Sequence, residues 1–258
     1  MTRGSLTVVG TGITIGVQLT PEARAAIDSS DELVHLAADP IAEEWLLGLH
    51  PSSTSLRSAY RLGEPREAIY ERIVERLLAP VRVGRRVAAA FYGHPGVYVT
   101  PSHEAIRRAR AEGYAAEMLP AVSAEDCLFA DLGVDPASAG CLSYDATDFL
   151  LRSRPVDTSS SLILWQITVI GDLTARSEPR LDNVPVLVER LAEHYPREHE
   201  VVVYEASPYP VAGPVVERVT LGDLANAPLT ALSTLYVPPA TVRATDGEMA
   251  VRLGLSTH

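Results

Sequence analysis

Residues 87–131 read VAAAFYGHPGVYVTPSHEAIRRARAEGYAAEMLPAVSAEDCLFAD, and the fold is decided there. The apolar run 87–91 ends in Tyr92-Gly93-His94-Pro95-Gly96-Val97-Tyr98. Pro101 and Ser102 then open a helical segment. A second apolar piece, 115–119, breaks at Pro120 and feeds a helix starting near Ser123. Strand, loop, helix repeated twice is the grammar of a parallel α/β sheet. Ligands bind outside the carboxyl ends of such strands, and two loops rich in Gly, Pro and small residues fall at those ends.

Towards the N-terminus, 6–9 reads as a buried strand followed at once by Gly10-Thr11-Gly12, then Gly16 and a helix over 21–29. Thr20 suits the cap and Pro21 the first turn. The dinucleotide fingerprint wants its third glycine three residues after the second, and Gly16 follows Gly12 by four. This loop therefore reads equally well as a structural turn or a ligand loop. A strand at 33–37, a helix at 41–47, a polar loop at 51–55 and a helix at 67–78 follow from periodicity. Arg66 and Tyr70 lie four apart. From local sequence alone they read as an exposed arginine lying along a tyrosine.

Beyond Pro120 the pattern restarts. Strands are expected at 162–165, 201–204, 215–220 and 234–237, with helices at 123–132, 186–194 and 221–225. The reading is two α/β domains, 1–119 and 120–239, hinged near Pro120, with a short tail at 240–258. The cluster Arg107-Arg108-Ala109-Arg110 reads as a solvated helix face.

The 258 residues carry a net charge of −11, which argues against a nucleic-acid partner. No run reaches the ~18 apolar residues of a membrane span. The N-terminus enters an apolar strand directly, without a signal peptide. Cys127 and Cys141, the only two cysteines, read as buried packing rather than as a disulfide framework or zinc site. His194 and His199 read as surface residues, and no metal is expected. The expectation is a reduced, cytoplasmic protein with no membrane partner.

The order of blocks resembles the tetrapyrrole methylase class of S-adenosylmethionine-dependent enzymes: a strand-Gly-Thr-Gly start, a Gly-x-Pro-Gly loop, and a late Ser-Thr-x-Tyr-Val-Pro-Pro. Within that class the sequence resembles the borosin peptide-backbone N-methyltransferases. The similarity rests on Phe91-Tyr92-Gly93-His94-Pro95-Gly96-Val97, Pro101-Ser102-His103, Ser123-Ala124-Glu125-Asp126, Phe129-Ala130-Asp131-Leu132-Gly133, Trp165-Gln166 and Ser233-Thr234-Leu235-Tyr236-Val237-Pro238-Pro239. It covers 6–239.

The resemblance implies a tetrapyrrole-methylase-like α/β fold with the cofactor in a cleft between the two domains, not on the first Gly-rich loop. It places S-adenosylmethionine against Tyr92, His94, Pro95, Gly96 and Val97 on one side and Ser123, Ala124, Gln166, Ala206 and Thr234 on the other. It also implies a catalytic group of Tyr60, Arg66, Tyr70 and Tyr92, which replaces the bland reading of Arg66 and Tyr70. An amide nitrogen is a poor nucleophile because its lone pair is delocalised. It must lose its proton, the carbonyl oxygen needs donors, and the methyl must sit in line at ~3–3.5 Å. A phenol's reference pKa is about 10, and a neighbouring arginine favours ionisation. Tyr70 is thus the expected base, assisted by Arg66, with Tyr60 and Tyr92 holding the amide.

Fungal members of that family carry a hydrophobic core peptide on a long C-terminal extension. Residues 249–255, Met-Ala-Val-Arg-Leu-Gly-Leu, form no long apolar core. The expectation is a split type: a homodimer acting on a separate precursor peptide. The alternatives are a tetrapyrrole (precorrin-type) C-methyltransferase, which would want cationic walls for macrocycle carboxylates, and a non-catalytic cofactor-binding scaffold.

Overall fold

A computed structural model describes residues 4–176 and 178–255. The first three residues of the N-terminal segment and the last three of the expected tail lie outside the described residues. The chain divides into two compact units. One comprises Met1–Val134, Asp172–Pro179 and Glu205–Val215; the other comprises Asp135–Gly171, Arg180–Tyr204 and Val216–His258.

In the first unit β1 (Ser5–Gly10), α1 (Pro21–Ser29), β2 (Glu32–Leu36), α2 (Pro40–Leu49), β3 (Ser53–Ser55), α3 (Arg66–Arg82), β4 (Arg86–Phe91), α4 (Thr100–Ala111), β5 (Ala115–Met118) and α5 (Ala124–Leu132) follow in order. The strands form a parallel sheet in the order β3-β2-β4-β1-β5. β3 lies where a polar loop was expected. Its three residues, Ser-Thr-Ser, have no apolar alternation, and pairing with β2 alone makes them a strand. Helix starts obey local chemistry. Thr20 caps α1, Asp39 caps α2, and Ser123 forms a capping box with Asp126 at α5, which ends on left-handed Gly133.

Alternate residues of the strands face opposite sides of the sheet. Leu6, Val8, Val87, Ala89 and Phe91 pack with Ile69, Ile73 and Leu77 of α3 and Ala105 and Ala109 of α4. Val9, Leu33, Ala88 and Ala90 pack with Ala23 and Ile27 of α1 and Leu46 of α2. So β1 leads into a helix on one face, and its neighbour β4 leads into a helix on the other. The loops leaving these adjacent strands diverge, which makes a topological switch point at their carboxyl ends.

The second unit contains α6 (Pro136–Ala139), β6 (Cys141–Asp145), α7 (Ala146–Leu151), β7 (Ser161–Trp165), α8 (Val184–Ala192), β8 (Glu200–Glu205), β9 (Val215–Thr220), β10 (Thr234–Val237) and α9 (Gly247–Arg252). Its sheet order is β6-β7-β10-β8-β9, with β10 antiparallel to β7 and β8. The strand grammar alone predicts parallel pairing. A buried strand's residues look the same in either direction, so the sequence could not show that β10 is reversed. Periodicity also missed β6 and α7, whose residues are largely half-buried rather than alternating. Leu162, Leu164, Leu187, Leu191, Val201, Val203 and Leu235 centre the core. Among the described residues no helix is long and apolar enough to cross a membrane.

Cys127 and Cys141 are half-buried, not fully buried as expected. His199 is also no plain surface residue: it stacks on Tyr195 and bonds the Pro238 carbonyl at 3.0 Å through Nε2. The basic run of α4 is a paired face. Arg107 and Arg108 share Glu104, and Arg108 also reaches Glu71 of α3 at 2.6 Å.

Candidate active site

The loop after β1 is committed to structure. The N–H of Thr11 donates to Phe91, Gly12 to Gly93 and Ile15 to Pro208, while Ile13 and Thr14 both donate to the Gln18 side-chain oxygen at 2.7 and 3.0 Å. Five successive amides are thereby engaged within the protein. An anion-binding Gly-rich loop keeps such amides for its ligand, so here the structural-turn alternative prevails.

In the loop after β4 the Gly93, Gly96 and Val97 amides are likewise engaged, with Gly12 O, His94 Nδ1 and His94 O. This loop is built to bring main chain close to its surroundings. A Cβ on Gly10 would lie 2.2 Å from the Gly93 oxygen and 2.7 Å from Pro95 Cδ, and one on Gly96 would lie 2.8 Å from Met118 Sδ. His94 Nδ1 accepts from the Gly96 amide at 3.0 Å, and His103 Nε2 meets the Gly96 carbonyl at 2.9 Å. The buried Ser102 hydroxyl lies against the Pro95 and Val99 carbonyls. His94 and His103 thus support the loop.

Three expected site residues meet at one cavity of about 240 Å³, whose walls include Tyr60, Tyr70, Tyr92, Tyr98, Phe91 and Val99. Tyr60 precedes α3, Tyr70 lies on it, and Tyr92 follows β4. Although 40% of Tyr60 stays exposed, burial around its phenol, with Tyr70 beside it, pushes its pKa up to about 12; Arg66 pulls the other way. Burial first, then Cys127 and Asp39, pushes Tyr92 up to about 12 as well. Arg66, the first residue of α3, donates its amide to Leu173 O at 2.8 Å and its Nε–H to Thr174 O at 3.3 Å.

The expected cofactor residues fall in both units. Tyr92, His94, Pro95, Gly96, Val97, Ser123, Ala124 and Ala206 belong to the first; Gln166 and Thr234 belong to the second. Ser123 is 6% exposed with its hydroxyl on Asp126 at 2.7 Å, and Thr234 is buried in β10. Gln166, just past β7, has φ 58°, a left-handed backbone that a glutamine adopts only when its surroundings hold it there. Gly10 and Gly96 pack main chain against Gly93, Pro95 and Met118 with no room for a Cβ.

Sequence reading missed two features. Tyr98 lines the cavity with φ 56° and 43% exposure, and nothing in Gly-Val-Tyr announces it. The segment that grips Arg66 comes from 172–176; its Asp172-Leu173-Thr174 has the local signature of a side-chain-closed turn, but not its destination. Among the described residues no three His, Cys, Asp or Glu side chains gather as a metal site.

The whole chain superposes on uroporphyrin-III-C-methyltransferase from Thermus thermophilus with a TM-score of 0.65, covering 99% of each chain at 22% identity; this defines the fold as that of the tetrapyrrole methyltransferases. Residues 5–227 match the tetrapyrrole (corrin/porphyrin) methylases, and the chain belongs to that family. It is also 41% identical, over 98% of its length, to the methyltransferase/ribosomally synthesized cyclic peptide gymnopeptides precursor of Gymnopus fusipes. It is 42% identical over 98% to a methyltransferase/ribosomally synthesized type III borosin cyclic peptide precursor of Anomoporia bombycina. The chain spans 61% of the first relative and 30% of the second.

Proposed function

We propose that this chain is a borosin-type α-N-methyltransferase that transfers methyl groups from S-adenosylmethionine, iteratively, to backbone amides of a ribosomally made peptide. The observation that carries the reading is one cavity walled by Tyr60, Tyr70 and Tyr92, with the charge of Arg66 acting on the Tyr60 phenol. The peptide-precursor names of its relatives agree with it. The acceptor proposed is a separate precursor peptide; residues 240–258 themselves hold no long apolar run. The apolar walls Leu36, Phe91 and Val99 suit an uncharged acceptor. The working form is a cytoplasmic homodimer.

The cofactor, which Tyr92, His94, Pro95, Gly96, Val97, Ser123, Ala124 and Ala206 would hold, would supply an electrophilic methyl on a sulfonium sulfur. Tyr70, as base, takes the amide proton onto its phenolate oxygen as the nitrogen gains the methyl. Arg66 assists Tyr70 in this step. Tyr60 and Tyr92, with pKa values near 12, keep their protons at neutral pH and donate to the amide oxygen, where negative charge develops.

The test offers a synthetic valine- and isoleucine-rich peptide with S-adenosylmethionine, once in trans and once fused after His258, and follows the products by mass spectrometry. Gains in steps of one methyl on the backbone are expected. Methylation of a porphyrinogen instead, or cofactor binding with no transfer to either peptide, overturns the proposal. Transfer only to the fused peptide overturns the separate acceptor.

A further inference from the structure

Residues 172–176 act on Arg66 from 108 residues away in the chain. Arg66 opens α3, after Pro65, whose side chain makes no capping bond. Two costs follow. The Arg66 amide is one of the helix's unsatisfied N-terminal donors, and a cation at that end opposes the helix dipole. Both are met by the same strap: Leu173 O takes the amide, and Thr174 O takes Nε–H. The strap runs antiparallel to 63–66, with a bridge between Pro65 and Thr174, Gly63 N–H to Ala175 O at 2.9 Å and Ala175 N–H to Glu64 O at 3.0 Å. Ala175 is buried in the core beneath α3.

What shapes the strap is Asp172. Its side chain is 4% exposed. Oδ1 accepts from the Thr174 amide at 2.8 Å and from the Thr174 hydroxyl at 2.6 Å, and Oδ2 is bonded by Arg176. Those bonds, the Thr174 hydroxyl foremost, hold the carboxyl down to about 2, so it is ionised throughout the neutral range.

We propose that Asp172 is a positioning residue for methyl transfer, its carboxylate fixing the turn that presents the Leu173 and Thr174 carbonyls to Arg66. This rests on the reading of Arg66 given above.

Asp172→Asn keeps an oxygen for Thr174; Asp172→Ala keeps none. In the intact chain, the Arg66 Nε–H proton, assigned by its loss in Arg66→Lys, is followed by NMR hydrogen exchange. Exchange is expected to accelerate at least ~10-fold in Asp172→Ala and to stay near wild type in Asp172→Asn. On the valine- and isoleucine-rich peptide supplied in trans, kcat should fall about 100-fold in Asp172→Ala, with cofactor Kd unchanged. In an Arg66→Lys background Asp172→Ala should lower kcat no further. Wild-type exchange and kcat in Asp172→Ala overturn the inference, as does an undiminished fall in the Arg66→Lys background. If Arg66→Ala alone turns over at the wild-type rate, the reading of Arg66 falls and takes this inference with it. If Arg66→Ala is inactive and Asp172→Ala is not, only this inference falls.

Discussion

Gly12 and Gly93 exchange main-chain hydrogen bonds in both directions, at 3.3 and 3.0 Å, and so tie together the loops that leave β1 and β4 for opposite faces of the sheet. That link leaves no room for a side chain at Gly10, where a Cβ would meet backbone at 2.2 Å and Ala121 Cβ at 2.5 Å. Gly10→Ala is expected to cost ~1–3 kcal/mol of stability, a fall in Tm of roughly 2–4 °C per kcal/mol for a domain of this size. Calorimetry of the two proteins checks it.

The three cavity tyrosines should separate by role. Tyr70→Phe removes the base and should lower kcat by ~10²–10⁴ while cofactor Kd holds. Tyr60→Phe and Tyr92→Phe each remove a donor to the amide oxygen and should lower kcat less than Tyr70→Phe does. Single-turnover methylation of the peptide supplied in trans gives all three. Wild-type turnover by Tyr70→Phe would remove Tyr70 as base.

Tyr98 tests strain against contact. A bulky residue at φ 56° carries a backbone cost of ~1–3 kcal/mol. Tyr98→Gly relieves that cost, so thermal stability should hold or rise. It also strips one wall from the cavity, so KM for the peptide should rise several-fold. An unchanged KM would mean that the ring does not meet the acceptor.

Alkali should unfold the protein through its buried phenols. Tyr92 and Tyr195 are held up to about 12 in the folded chain, each chiefly through burial, against about 10 unfolded. The folded state therefore holds these protons more tightly. Stability from this source is complete below pH ~10 and is lost as pH rises towards about 12. Tyr195→Phe should flatten that fall. The Tyr195 hydroxyl is buried with no hydrogen-bond partner among the described residues, so the same substitution should raise stability at pH 7, by up to ~1 kcal/mol. Denaturant titrations at pH 7 and pH 10.5 check both.

His35 sets the acid side. It is buried, its Nδ1 meets Ser53 Oγ at 3.0 Å, and burial lowers its pKa despite the pull of Glu43. A depressed histidine contributes stability that is complete above the unfolded value of about 6.5 and lost as pH falls through the folded one. His35→Gln should reduce that acid sensitivity, read as a smaller loss of denaturation midpoint between pH 7 and pH 5.

The amino-acid order by itself determined what neighbours along the chain can enforce. Thr20, Asp39 and Ser123 place helix starts because a cap acts within three residues. The apolar runs at 87–91 and 234–237 are strands because burial along a short run needs no distant information. The candidate tyrosines were legible through the family likeness, and three of them do share one cavity. Only the tertiary structure decided that β10 runs antiparallel, that three serine and threonine residues become the edge strand β3, and that a strap from 172–176 grips Arg66. Strand direction and a contact across 108 residues follow from what the rest of the chain buries. No local pattern encodes a partner whose position exists only once the core has formed.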